Sequence, residues 1–207
     1  MPKKHIAIAA ALVATITLPA FAQEGPWQVR IRAISVVPDE TSTISVIGGE
    51  ARVKSDVMPE LDISYFFSPN WAAELILATT KHDVSARNTA AGDIDVGSVR
   101  VLPPTLTLQY HFAPENKFRP YLGAGINYTV FYDDNPAGGV VKVARYKDGF
   151  GYAAQAGVDI DINQEFFFNL DVKKLWLNTE VDINKGAILA DVDLDPWVLG
   201  IGFGYRF

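Results

Sequence analysis

From Trp197 to the end of the chain every second residue is large and apolar: Trp197, Leu199, Ile201, Phe203, Tyr205 and Phe207. Val198, Gly200, Gly202, Gly204 and Arg206 stand between them. A period of two belongs to a strand, here with one greasy face and one small or polar face. A soluble sheet would hide the greasy face, so one such strand settles little. The pattern recurs in strands long enough to cross a membrane. It predicts an all-β fold, an eight-stranded antiparallel transmembrane β-barrel with short periplasmic turns and long extracellular loops.

The alternation predicts strands over residues 27–37, about 60–67, from Trp71 onward, 105–112, 118–131, 150–162, 165–179 and from Trp197 to the end. Three tight turns are centred on Pro69, Pro114 and Asn163, and four long polar loops cover 39–56, 82–98, 133–148 and 180–191. Short turns at one end and long loops at the other suit an outer-membrane barrel, and an even strand count returns both termini to the periplasmic side. Trp27, Phe67, Trp71, Phe112, Phe118, Phe166, Tyr205 and Phe207 collect at the turn end. Tyr132, Phe150, Trp176 and Trp197 lie toward the loops, so two interfacial belts are expected. A soluble lipocalin-type barrel would reverse this order. Here the charges share a face with the glycines.

The amino end changes the compartment. Lys3 and Lys4, an apolar run from Ile6 to Leu18 and Ala20-Phe21-Ala22 predict a cleaved secretory signal peptide over 1–22. The run is shorter than the ~20 residues of a membrane-spanning helix. One barrel domain is expected over 23–207. The formal net charge of −6, more negative without Lys3 and Lys4, argues against a nucleic-acid partner. With no cysteine and 3 histidines, a disulfide framework, a thiolate nucleophile, a metal site and a cofactor are not expected.

Eight strands enclose a space that side chains alone can fill, so a water-filled pore is not the expectation. Room would come from an inward set of small residues. Gly123, Gly125, Asn127, Gly151, Gln155, Gly157, Val198, Gly200 and Gly202 are the channel-lining candidates, opening a groove along one wall. The alternative is that the glycines only let strands coil in a tight barrel. The inward charges Arg30, Arg32, Asp62, Glu74, Arg119, Asp159, Asp161, Asp171, Lys173 and Arg206 must pair in a low-dielectric lumen. Their network is expected to be densest at the periplasmic end, around Arg119, Asp161 and Arg206. Pro103 and Pro104 remove ladder donors near the extracellular end of a strand and are candidates for a lateral opening. Phe203, Tyr205 and Phe207 are candidates for an assembly signal. Asp62, Ser64 and His111 share the inward face, but no motif surrounds Ser64 and His111 sits beside a turn, so no enzyme is expected.

Three segments taken in order carry a family likeness. They are Leu102-Pro103-Pro104-Thr105-Leu106-Thr107-Leu108-Gln109-Tyr110-His111-Phe112, then Arg119-Pro120-Tyr121-Leu122-Gly123-Ala124-Gly125-Ile126-Asn127-Tyr128, then Asp195-Pro196-Trp197 running into Gly204-Tyr205-Arg206-Phe207. Together they resemble the outer membrane protein W (OmpW) family. The resemblance implies an eight-stranded barrel in the outer membrane of a Gram-negative bacterium, with a narrow hydrophobic lumen. It implies passage of small hydrophobic molecules toward the lipid through a lateral opening, and some members serve as colicin or phage receptors. The expected function is therefore a passive channel for small hydrophobic solutes. The alternative is a structural or receptor barrel whose loops bind bacteriocin, phage or host factors without transport. The expected partners are outer-membrane lipid and lipopolysaccharide, the barrel assembly machinery and the solutes themselves.

Overall fold

The computed structural model describes residues 25–207, and the expected signal peptide lies outside the described residues. Fifteen strands form among the described residues. In chain order they begin β1 (Trp27–Val37), β2 (Thr41–Ile44), β3 (Glu50–Val53), β4 (Asp56–Phe66), β5 (Trp71–Ala78), β6 (Thr80–Thr89), β7 (Gly92–Leu102) and β8 (Thr105–His111). They continue with β9 (Phe118–Pro136), β10 (Ala144–Tyr146), β11 (Gly149–Asp161), β12 (Phe166–Trp176), β13 (Asn178–Ile183), β14 (Ile188–Asp193) and β15 (Trp197–Arg206).

Eight of these close the barrel in the order β1-β4-β5-β8-β9-β11-β12-β15, with β15 pairing back onto β1. Every pairing is antiparallel, so no edge is left to the lipid. The turns are tight: Asn116 N–H donates to the Ala113 carbonyl (3.1 Å), and Asn163 Oδ1 accepts from the N–H groups of Glu165 (2.9 Å) and Phe166 (2.7 Å).

The wall is inverted relative to a soluble protein. Ile31 is 65% exposed on the outside, while Arg30, Asp62 and Glu74 are 0% exposed inside. Edge-on aromatic pairs ring the turn end, Trp27 with Tyr65 (4.9 Å) and Trp71 with Tyr110 (5.0 Å), and Tyr128 meets Phe150 (4.7 Å) at the other end.

The regions expected to be long polar loops are instead largely strand. Above the lipid band the wall continues as two arcs, β9-β7-β6-β3 and β10-β13-β14-β2. Residues 82–98 supply most of β6 and part of β7, and the strand expected over 165–179 breaks at Leu177 between β12 and β13. The physical reason is a change of solvent. Val84, Ala86, Val96, Val99, Val181, Ile183, Ala190 and Val192 still point into a shared core, but the outer face now meets water and turns polar. That half-wet pattern resembles a loop when read against the lipid-facing strands. Asn184, Lys185 and Gly186, all at positive φ, make the β13–β14 turn.

Candidate functional site

The lower and middle lumen is a plug of paired charges. Arg30 pairs through Nη1 with Glu74 and through Nη2 with Asp159 (3.2 Å). Arg32 reaches Glu60 (2.9 Å), Asp62 (2.8 Å) and Asp171 (3.3 Å), and Lys173 bridges Glu60 (2.7 Å) and Asp171 (3.2 Å). Tyr121 donates to Asp171 (2.7 Å), and Gln155 donates to Asp171 (2.9 Å) and Glu74 (3.0 Å).

Asp161, with Arg119 (3.1 Å) and Arg206 (2.7 Å), forms the periplasmic end of the same network. The densest pairing is therefore at mid-barrel around Arg30 and Arg32, not around Arg119, Asp161 and Arg206 as expected. Register explains the difference. Arg30 and Arg32 face Asp62 and Glu60 on β4, and on their other side stand Gly204 and Gly202 of β15. The missing side chain at Gly202 makes room for the stem of Arg32, while the Phe167 ring takes the place beside Gly204.

The same neighbours overturn the expected groove. A Cβ on Gly157 would enter the Tyr121 ring, and one on Gly204 the Phe167 ring. A Cβ on Gly200 would stand 3.3 Å from Arg32 Cδ, and one on Gly123 would stand 3.1 Å from Gln155 Oε1. Gly125 and Gly151 abut the Leu106 and Trp176 carbonyls, and Gly202 abuts the backbone and stem of Arg32. Asn127 Nδ2 donates to the Tyr152 carbonyl (3.3 Å). Gly123, Gly157, Gly200 and Gly204 are thus seats for larger side chains, while Gly125, Gly151 and Gly202 mark close approaches of neighbouring backbone. Phe167, 0% exposed, lies under Arg30, Arg119 and Arg206, the last 4.5 Å from its centroid. Sequence reasoning passed over it because Phe166-Phe167-Phe168 hides the alternation.

Above the plug the lumen changes character. Glu60 and Lys173 form the floor of an apolar cavity of about 90 Å³, walled by Ile34, Val36, Val101, Leu175 and Val198. Val198 is the only one of the channel-lining candidates that borders it. The cavity adjoins a vestibule of about 670 Å³ between the two arcs, and Ala51, Val84, Val181 and Val192 border both. Burial, and then the charge of Asp134, pushes the Tyr146 phenol above its ordinary range, so it stays un-ionised beside the cavity. The vestibule walls come largely from the misread loops, which lend the cavity only Ala51, Val53, His82, Val84, Tyr146 and Val181. The detectable signal was the alternation of His82, Val84 and Ala86 and of Ala190, Val192 and Leu194.

One stretch of wall lacks its ladder. β5–β8 pairing ends at Ile76↔Thr105 and β6–β7 pairing begins at Thr80↔Val101, leaving residues 77–79 opposite 102–104 unpaired. Neither Pro103 nor Pro104 has an N–H to offer. On the β9 side the wall stays joined, with Tyr128 N–H donating to the Pro104 carbonyl (3.1 Å). Pro103, Ala78, Thr80 and Thr105, the rim of this seam, all border the cavity. The Thr79 and Tyr132 hydroxyls meet nearby.

Asp62, Ser64 and His111 do not form a catalytic trio. Asp62 pairs with Arg32, Ser64 accepts from Arg30 (3.1 Å), and His111 Nε2 contacts Gln109 Oε1 (3.2 Å). On the outer wall Phe203 packs on Phe168 (5.5 Å) and Tyr205 stacks on Phe207 (5.8 Å), whose N–H donates to the Trp27 carbonyl (3.1 Å).

Comparison with known proteins agrees with this architecture. The model of the OmpW family matches residues 23–207. Outer membrane protein W of Vibrio cholerae serotype O1 is 36% identical, over 99% of this chain and 100% of that protein. The dibenzothiophene metabolism operon protein PahQ of Pseudomonas aeruginosa is 30% identical, over 91% of this chain and 92% of its own. The crystal structure of the outer membrane protein OprG from Pseudomonas aeruginosa aligns with a TM-score of 0.81 at 31% identity, covering 90% of this chain and 98% of that one.

Proposed function

The chain belongs to the OmpW family of outer-membrane barrels, and from that premise we propose that it passes small hydrophobic molecules passively, releasing them sideways into the lipid. The observation that carries this reading is an apolar cavity set on a charged floor, with the unpaired seam as its side wall. An apolar solute descending from the vestibule gains from leaving water, about 25 cal/mol per Å² of apolar surface buried. Below Glu60 and Lys173 it would have to part desolvated ion pairs, which costs several kcal/mol per ion. Sideways lies lipid. The name of PahQ associates that relative with the metabolism of an apolar heterocycle, which supports a solute of the same character here.

In this reading the vestibule stands among lipopolysaccharide headgroups, and the seam opens below them. Pro103 and Pro104 keep it unpaired. Replacing both with Val and Thr should extend the β-ladder and bring hydrophobic uptake down toward that of cells lacking the protein. Unchanged uptake by a folded double variant would remove the lateral exit from the account.

We assign Phe203, Tyr205 and Phe207 to recognition by the barrel assembly machinery. Phe207→Ala should lower the amount of folded barrel in the outer membrane while refolding into detergent proceeds normally. Full membrane levels would leave Phe207 as a belt anchor only.

A further inference from the structure

The cavity is apolar in area but one-sided in its hydrogen bonding. Thr80 donates its hydroxyl hydrogen to the Val101 carbonyl (3.4 Å), Thr105 to that of Pro103 (2.9 Å) and Thr179 to that of Lys147 (3.0 Å). The Thr80 and Thr105 oxygens are therefore left as acceptors, while that of Thr179 already accepts from the Lys147 N–H (3.2 Å). His82 Nδ1 lies 2.8 Å from the Lys54 carbonyl, which can only accept, so Nδ1 is the donor there and, in that tautomer, Nε2 is the acceptor. At the floor, Glu60 Oε1 receives Lys173 (2.7 Å) and faces Arg32 (2.9 Å). Glu60 Oε2 has no hydrogen-bond donor among the described residues. Against these acceptors stand the Tyr146 hydroxyl and whatever hydrogen Lys173 does not spend on Glu60 and Asp171.

We propose that the cavity selects apolar molecules carrying one hydrogen-bond donor, a hydroxyl or ring N–H, seated on Glu60 Oε2, with His82 Nε2 a separate acceptor four residues farther along the wall than Ala78, the register partner of Glu60. The inference rests on the passage reading and names its substrate class. At about 90 Å³ the cavity is smaller than the roughly 150 Å³ that admits benzene elsewhere. It therefore takes the donor-bearing end, while the rest of the molecule stays in the vestibule. An ether or a bare hydrocarbon of the same shape leaves the acceptors unpaired, and sites built for a donor reject such analogues strongly.

The test uses the full barrel in lipid nanodiscs. The probes are 1-naphthol and 1-methoxynaphthalene, with partition into empty nanodiscs subtracted. The naphthol should bind about tenfold more tightly than its methyl ether, the effect of one hydrogen bond to a charged acceptor. Glu60→Gln, which puts an amide N–H₂ in the floor, should bring that ratio toward one. His82→Leu lies outside the plug, cannot unpair its ions, and should lower the ratio several-fold. Equal binding of both probes to the unaltered barrel would overturn donor selection and leave the passage reading standing. Binding of neither would overturn both. A tenfold ratio that persists in both variants would overturn the assignment to Glu60 and His82.

Discussion

Arg32→Met is expected to destabilise the folded barrel by on the order of 3–5 kcal/mol, because it leaves buried carboxylates without their cation. Arg32 is 1% exposed and is the shared partner of Glu60, Asp62 and Asp171. Lys173 still reaches Glu60 and Asp171, but Asp62 has no other ion pair among the described residues. Urea unfolding of the refolded barrel, followed by tryptophan fluorescence and by the heat-dependent shift on gels, measures the loss. Adding Glu60→Gln, Asp62→Asn and Asp171→Asn should recover much of it, since removing a whole buried ion set costs far less than orphaning part of it. A loss below about 1 kcal/mol would mean that water or lipid headgroups already screen the plug.

Val198→Trp is expected to act on passage rather than on stability. Val198 is 3% exposed, faces the cavity from β15, and sits in register with Val36 on β1 and Lys173 on β12. An indole there would occupy most of a space of about 90 Å³. Overpacking of this kind typically costs 1–3 kcal/mol, less than the charge deletion. Hydrophobic uptake should therefore fall to the level of cells without the protein while the barrel stays folded. The two variants separate the plug from the cavity: one loses stability, the other transport. Normal uptake in the tryptophan variant would place the route elsewhere in the barrel.

The barrel itself was legible because the lipid inverts the usual rule. Leu106, Leu108 and Tyr110 alternate with Thr105, Thr107 and Gln109 so regularly that the outward face declares itself. The filling of the lumen was not legible in the same way. Gly202 and Gly204 mark where side chains are missing, but register decides that Arg32 and Arg30 stand beside them. Register is a property of strand pairs, and a single strand's pattern leaves it open. The cavity was missed for a different reason. Val84, Val99, Val181 and Val192 sit where the wall has left the lipid, and polar outward partners such as Asp83, Ser85 and Asp191 disguised strands as loops. Pro103 and Pro104 could be flagged from composition alone. That the ladder fails on the β5 side yet holds on the β9 side needed coordinates.

The most direct measurement is paired uptake by a porin-deficient host with and without this protein, using 1-naphthol beside a small sugar. The account predicts faster entry of 1-naphthol only when the protein is present and no change for the sugar, because the ion-paired floor closes the axial path. Faster sugar entry would contradict the closed floor. No change in either, with folded barrel present in the outer membrane, would contradict the passage itself.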